Sequence, residues 1–146
     1  MMNPLLTGRL AIKRLYDHEM APLMARFTLT RMELDVLLFL SNNPGLDTAA
    51  EIVQLRMLTK SHVSKAVDHL TERGLIQQAR DEKNRRRVHL TLTDAAQAVV
   101  VEARDAQRRA VEQLMAGISA EDTVVLDRVM RQVVRNAALV IESKEG

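Results

Sequence analysis

Two short stretches of this sequence hold side chains suited to gripping a polyanion. Residues 56–65 contain Arg56, Lys60 and Lys65 and no acid, a charge of +3. Residues 80–87 set Arg80, Lys83, Arg85, Arg86 and Arg87 against Asp81 and Glu82, again +3. The whole chain carries only +2, so everything else sums to −4. Cations gathered in this way displace counterions from a charged lattice such as a nucleic acid, and it is their placement, not the net charge, that is informative. Covalent chemistry is poorly provided for. There is no cysteine, which excludes thiolate nucleophiles, disulfides, Cys-ligated zinc and sensing by thiol oxidation. No glycine-rich phosphate loop is present, and no Ser/His/Asp set lies at a local spacing that would assemble a triad. The sequence reads as a binding protein and not an enzyme.

Presenting those cations requires a framework. At 146 residues, 47% of them hydrophobic, the chain suits one domain with a real core. Apolar residues from Leu5 to Met24 recur at mostly helical spacing and predict a helix over 4–25. Thr30-Arg31-Met32-Glu33 fits a capping box that opens a second helix at 31–41, which Asn42-Asn43-Pro44-Gly45 breaks. Thr48-Ala49-Ala50-Glu51 reads as another capping box and starts a short helix to about Leu55. Thr59 is placed to cap a further helix over 59–73, which Gly74 ends. The period then changes. Leu75 to Ala79 reads as a strand, and Val88-His89-Leu90-Thr91-Leu92 alternates apolar with polar, so the basic segment becomes a hairpin tip from Asp81 to Arg86. Two long helices follow Thr93, the last over about 120–142. The fold class is mainly α with a small β-hairpin wing, a winged helix-turn-helix over about 30–93. It lies within a single 1–146 domain, flanked by N- and C-terminal dimerisation helices at 1–25 and 94–146.

On helix 59–73, Val63, Ala66, Val67 and Leu70 form the inward face. A turn of about 100° per residue puts Ser61 and Lys65 opposite, with His62 and Ser64 flanking them. Asp68 and Glu72 lie toward the C-terminal half, so the N-terminal half, with Thr59 and Lys60, is the end to enter a major groove. Small hydroxyls allow close approach to base edges, and Lys65 reaches a guanine or a phosphate. An ordinary solvated helix face would also look like this; the basic hairpin beside it favours the nucleic-acid reading. A charged hairpin tip can simply keep a sheet edge soluble, but four bases in the five positions 83–87 exceed that need. Lys83, Arg85 and Arg86 suit a narrow minor groove, where weakly hydrated guanidinium groups meet the most negative potential.

The stretch Leu58 to Val67, then Leu70-Thr71-Glu72-Arg73-Gly74-Leu75-Ile76, then Asp81 to Arg86 and Leu92-Thr93, resembles the MarR family of bacterial regulators. That family carries a D-x-x-D-R-R wing followed by a Leu-Thr pair. Here the wing reads Asp81-Glu82-Lys83-Asn84-Arg85-Arg86, so Arg86 matches the wing-tip arginine and Asn84 stands where the family usually has Asp. The resemblance implies a homodimeric, duplex-DNA-binding transcriptional regulator, a repressor on a pseudo-palindromic operator. It also implies a small-molecule effector, often an aromatic acid, bound near the dimer interface.

The remaining features are weaker. His18, His62, His69 and His89 offer no close metal-ligand motif; His62 and His69 are seven apart on one helix, too far to share an ion. His62 is expected to face DNA and the others to be surface or core residues, so neither a metal nor a resident cofactor is expected. Met20, Met24 and Met32 could line a pliable effector pocket, although methionines more often fill a core. The only aromatic residues are Tyr16, Phe27 and Phe39, too few for stacking on single strands. No apolar run approaches the roughly 18 residues of a membrane span, and the N-terminus lacks a signal-peptide pattern, so the expected location is cytoplasmic. Residues 119–142 are apolar nearly all round, which calls for burial on more than one side and hence for a two-fold partner. The rival reading is a winged helix that binds protein and not DNA.

Overall fold

Helix boundaries follow from local chemistry. Thr30 Oγ1 accepts the Glu33 amide at 3.2 Å and Glu33 Oε1 accepts the Thr30 amide at 3.4 Å, completing the first capping box. Thr48 Oγ1 takes the Glu51 amide at 3.2 Å, but the Glu51 carboxylate turns away to Arg87, so the second box is only half formed. At the far end of helix 60–72, the Leu75 amide donates to Leu70 O and the Gly74 amide to Thr71 O, both at 3.0 Å, around Gly74 at φ 72°. This Schellman motif requires a residue that tolerates the left-handed region.

The computed structural model describes residues 3–56 and 58–145. In order the elements are α1 (Pro4–Thr7), α2 (Arg9–Phe27), α3 (Arg31–Asn42), α4 (Ala49–Arg56), α5 (Lys60–Glu72), β1 (Ile76–Arg80), β2 (Val88–Leu92), α6 (Asp94–Leu114) and α7 (Ala120–Glu145). The fold is thus mainly helical with a two-stranded hairpin wing, as expected. The strands pair antiparallel from Ile76↔Leu92 to Arg80↔Val88, and an isolated bridge joins Thr48 to His89.

The sequence predicts one helix over 4–25, whereas the structure breaks it at Gly8. There the Pro4 carbonyl lies 2.7 Å from where a Cβ would sit, an approach only glycine accepts. The first strand starts at Ile76, one residue later than expected, because the Leu75 amide is committed to the Schellman turn.

The chain divides into two compact units, up to Ala110 and from Val111 onward. In the first, Met20 of α2, Leu34, Val36 and Leu37 of α3, Ile52 of α4, Val63 and Leu70 of α5, and Ala96 and Ala103 of α6 are fully buried in one core. Met24 and Met32 pack partly buried against it, so these methionines chiefly fill space. Thr93 Oγ1 donates to Gly74 O at 2.6 Å, tying the start of α6 to the end of α5. The second unit holds the end of α6, a turn with Gly117 at φ 80°, and α7, opened by Ser119 Oγ accepting the Asp122 amide at 3.1 Å. Helix α7 has no buried residue; Val124, Val125, Leu126, Val129, Leu139, Val140 and Ile141 are among its exposed apolar side chains.

Candidate nucleic-acid interface

Helix α5 separates its faces as the periodicity predicts. Val63, Ala66, Val67 and Leu70 are buried, while Thr59, Lys60, Ser61, His62, Ser64 and Lys65 are all exposed. Thr59 takes the extended conformation of an N-cap but its hydroxyl makes no capping hydrogen bond, which corrects the expected role. Because no acidic residue occupies the first turn either, the orphan amides and positive dipole end of α5 are left for an outside acceptor. Along the same side a groove of about 980 Å³ runs between α5 and the start of α3, lined by Thr30, Met32, Ser61, His62, Ser64, Lys65 and neighbouring residues.

Polar tethers of α5 lie at its other end. His69 Nδ1 is 2.9 Å from Oε2 of Glu33, which is buried. Arg73 donates to the carbonyls of Phe27 and Thr28 at 2.7 Å each, closing the C-terminus of α2. Neither tether is signalled in the sequence, since partners 36 and 45 residues apart meet only in the fold.

The wing tip is organised by two side-chain oxygens. Asp81 Oδ1 accepts the amides of Lys83 at 2.8 Å and Asn84 at 3.0 Å, and Asn84 Oδ1 accepts the Arg86 amide at 3.2 Å. Asn84 therefore supplies the acceptor that the resemblance assigns to Asp, a task that needs no charge. Main-chain bonds Asp81 N to Arg87 O and Arg87 N to Asn84 O, both 2.9 Å, close the loop. Lys83, Arg85 and Arg86 are exposed. Arg87 is not equivalent to them: its Nη2 lies 2.8 Å from Glu51 Oε1 on α4, which anchors the wing to the helical body. Among the described residues, no acid pairs with Lys60, Lys65, Lys83, Arg85 or Arg86, in contrast to the paired Arg26, Arg31 and Arg109.

His89, expected as a surface or core residue, is a junction. Its Nδ1 is 2.7 Å from Asp47 Oδ1 and its Nε2 is 2.8 Å from Asp81 Oδ2. The His89 hydrogen bond, followed by the two amide bonds, lowers the Asp81 pKa to about 2. The Asp81 contact, then that of Asp47, raises the His89 pKa above its ordinary value.

Comparison with known proteins places this geometry. Residues 27–87, from the end of α2 through the wing, match the profile of the MarR family. A MarR-family transcriptional regulator from Silicibacter pomeroyi is 22% identical, with 91% of this chain and 88% of that one aligned at a TM-score of 0.76. BpsR of Bordetella bronchiseptica, whose DNA binding is described as regulated by 6-hydroxynicotinic acid, is 22% identical over 88% of this chain and 98% of its own, TM-score 0.63. The PcaV transcriptional regulator of Streptomyces coelicolor, solved with its natural ligand, is 25% identical over 94% and 98%, TM-score 0.63. No curated sequence matches the chain. Residues 27–87 thus match the MarR-family profile, and the whole chain has the fold of MarR-family winged-helix transcriptional regulators of known structure. No helix among the described residues is long and apolar enough to cross a membrane.

Proposed function

We propose that the protein is a homodimeric, sequence-specific regulator of transcription that binds duplex DNA in the cytoplasm, acting as a repressor on a pseudo-palindromic operator. The observation that carries this reading is the set of five exposed cations, Lys60, Lys65, Lys83, Arg85 and Arg86, gathered on two elements of one winged helix with no acid partner among the described residues, whereas Arg26, Arg31 and Arg109 are paired. In this reading the N-terminal half of α5 enters the major groove, with Ser61, His62, Ser64 and Lys65 toward base edges and Thr59 and Lys60 toward the backbone. Arg85 and Arg86 enter the adjacent minor groove and Lys83 lies along its phosphates.

Dimerisation through residues 1–25 and 94–146 accounts for the exposed apolar side chains of α7 and for Leu5, Leu6 and Leu10. An isologous contact covers each set with one self-complementary surface. It also sets two copies of α5 about 10 bp apart, hence an inverted-repeat operator. The effector is a small aromatic acid, by analogy with the ligand in the BpsR description. A cleft of about 400 Å³ between α2 and α6 has a suitable size; an acid bound there would have to displace Glu102 from Arg26 or Glu19 from Arg109. The test is recovery and sequencing of genomic fragments bound to the purified protein, followed by titration of the enriched duplex. Enrichment of an inverted repeat, bound with strong salt dependence, is expected; fragments without a common site, or binding insensitive to salt, would overturn the reading.

A further inference from the structure

His89 sits where β2, the loop before α4 and the base of the wing meet. The Leu90 amide donates to Asp47 O at 2.7 Å, and Thr48 bridges His89, so the main chain fixes where the ring lies. The ring contacts a carboxylate oxygen at each nitrogen, Asp47 at 2.7 Å and Asp81 at 2.8 Å. Ionised carboxylates only accept, so both ring nitrogens must donate, which the imidazolium alone can do. Asp81 uses its other oxygen to hold the amides of Lys83 and Asn84, and Asn84 holds the amide of Arg86. A continuous path of hydrogen bonds therefore runs from the body of the protein through His89 to the backbone of Arg86 at the tip.

We propose that His89 is a positioning residue for DNA binding: its second ring proton clamps Asp81, sets the pose of Arg85 and Arg86, and makes duplex affinity fall as pH rises. This rests on the duplex-DNA reading above. The charged neighbours leave the ring as the counterion of both acids. Arg87, just before β2, is committed to Glu51 of α4, Asp35 of α3 to Arg31 and Arg56, and Arg80 of β1 is exposed opposite Val88. Among the described residues, no lysine or arginine pairs with Asp47 or Asp81.

The direction of the pH effect follows. The His89 pKa is raised in the folded protein, first by Asp81 and then by Asp47. Its contribution is complete below the ordinary histidine value of 6.5 and is lost as pH climbs through the raised one. Asp81, lowered from 3.8 to about 2, contributes above the carboxylate range and fails only as pH falls toward that value. The clamp thus operates across the mildly acidic to neutral window.

The experiment titrates a labelled mixed-sequence duplex of roughly 30 bp, long enough for two half-sites, at about 50 mM salt from about pH 5.5 to about pH 8.5, the range of histidine titration. Wild type, His62→Gln and His89→Gln are compared, His62→Gln serving as the control for loss of another exposed histidine on the side proposed to face DNA. Wild type and His62→Gln are expected to lose about fivefold more affinity over this range than His89→Gln, equivalent to about 1 kcal/mol. A His89→Gln profile as steep as that of His62→Gln overturns the proposal. In parallel, NMR of wild-type protein without DNA follows the His89 ring and the amides of Lys83 and Asn84. Those amides should titrate with the ring, and amide shifts independent of it overturn the clamp whether or not His89→Gln folds. Absence of duplex binding at every pH would instead defeat the DNA reading, with the NMR titration still deciding the clamp.

Discussion

Arg86→Ala tests the docking geometry through a quantity that the structure sizes in advance. Arg86 is exposed and unpaired among the described residues, whereas Arg87 next to it lies 2.8 Å from Glu51. A side chain that neutralises phosphate charge, which an arginine in the minor groove also does because the phosphates of both strands flank it, adds about 0.9 to the slope of log K against log salt. In a dimer the substitution removes two such contacts, so the slope should become shallower by about 1.8. Over a fourfold change in salt, such as about 50 to about 200 mM, the variant should then lose about tenfold less affinity than wild type. Fluorescence anisotropy on one duplex at four or five salt concentrations measures this directly. Arg87→Ala, whose charge Glu51 already balances, should change the slope by less than half as much. Equal slopes for wild type and Arg86→Ala, or equal changes for the two arginines, would refute the assignment of Arg86 to DNA and of Arg87 to the body.

Other expectations address separate parts of the molecule. Lys65→Ala should weaken duplex binding: a phosphate contact would flatten the salt slope, and a base contact would cost about 1–3 kcal/mol and relax preference at one position in a selection experiment. Leu70→Ala removes a fully buried side chain of α5 and should destabilise the fold by about 2–5 kcal/mol in urea unfolding. Thr93→Val deprives the Gly74 carbonyl of its 2.6 Å hydroxyl donor and should cost about 1 kcal/mol in the same assay. Val133→Glu combined with Leu139→Glu should abolish dimers in light scattering and, with them, tight binding to a palindromic duplex; a monomer that still bound tightly would contradict the two-fold arrangement. On the proposed reading a small aromatic acid should release the duplex, and a broad panel of phenolic and carboxylic compounds without effect would count against the effector.

What could be read from the sequence was local. The buried face of α5 follows from spacings of three and four among Val63, Ala66, Val67 and Leu70, the box at Thr30 from one residue pair, and the turn at Gly74 from its lack of a side chain. Each depends on residues within one or two helical turns. The unread part depended on encounters between distant segments. Asp47 and His89 are 42 residues apart and Glu51 and Arg87 are 36 apart, and no periodicity announces either pair. For that reason Arg87 counts in the sequence only as one of four bases at 83–87, and its tether to Glu51 shows only in the fold, while Arg85 and Arg86 have no acid partner among the described residues. The break at Gly8 escaped for a related reason: the approach of the Pro4 carbonyl is a matter of tenths of an ångström, to which hydrophobic spacing is blind.

The uneven tethering of α5 has a mechanical side. Its directional bonds, from His69 to Glu33 and from Arg73 to the last carbonyls of α2, lie at the C-terminal end, while the N-terminal half is seated by apolar contact at Val63 and Ala66. Apolar contact resists separation more than sliding, so the C-terminal end acts as a pivot and α5 as a pointer about 20 Å long. Tilting such a pointer by about 5° carries its tip through nearly 2 Å, enough to move Ser61 and Lys65 out of hydrogen-bonding range of a base edge. Because Arg73 bears on the end of α2, a small displacement of that helix would be magnified at the N-terminal end of α5, the end proposed to meet DNA.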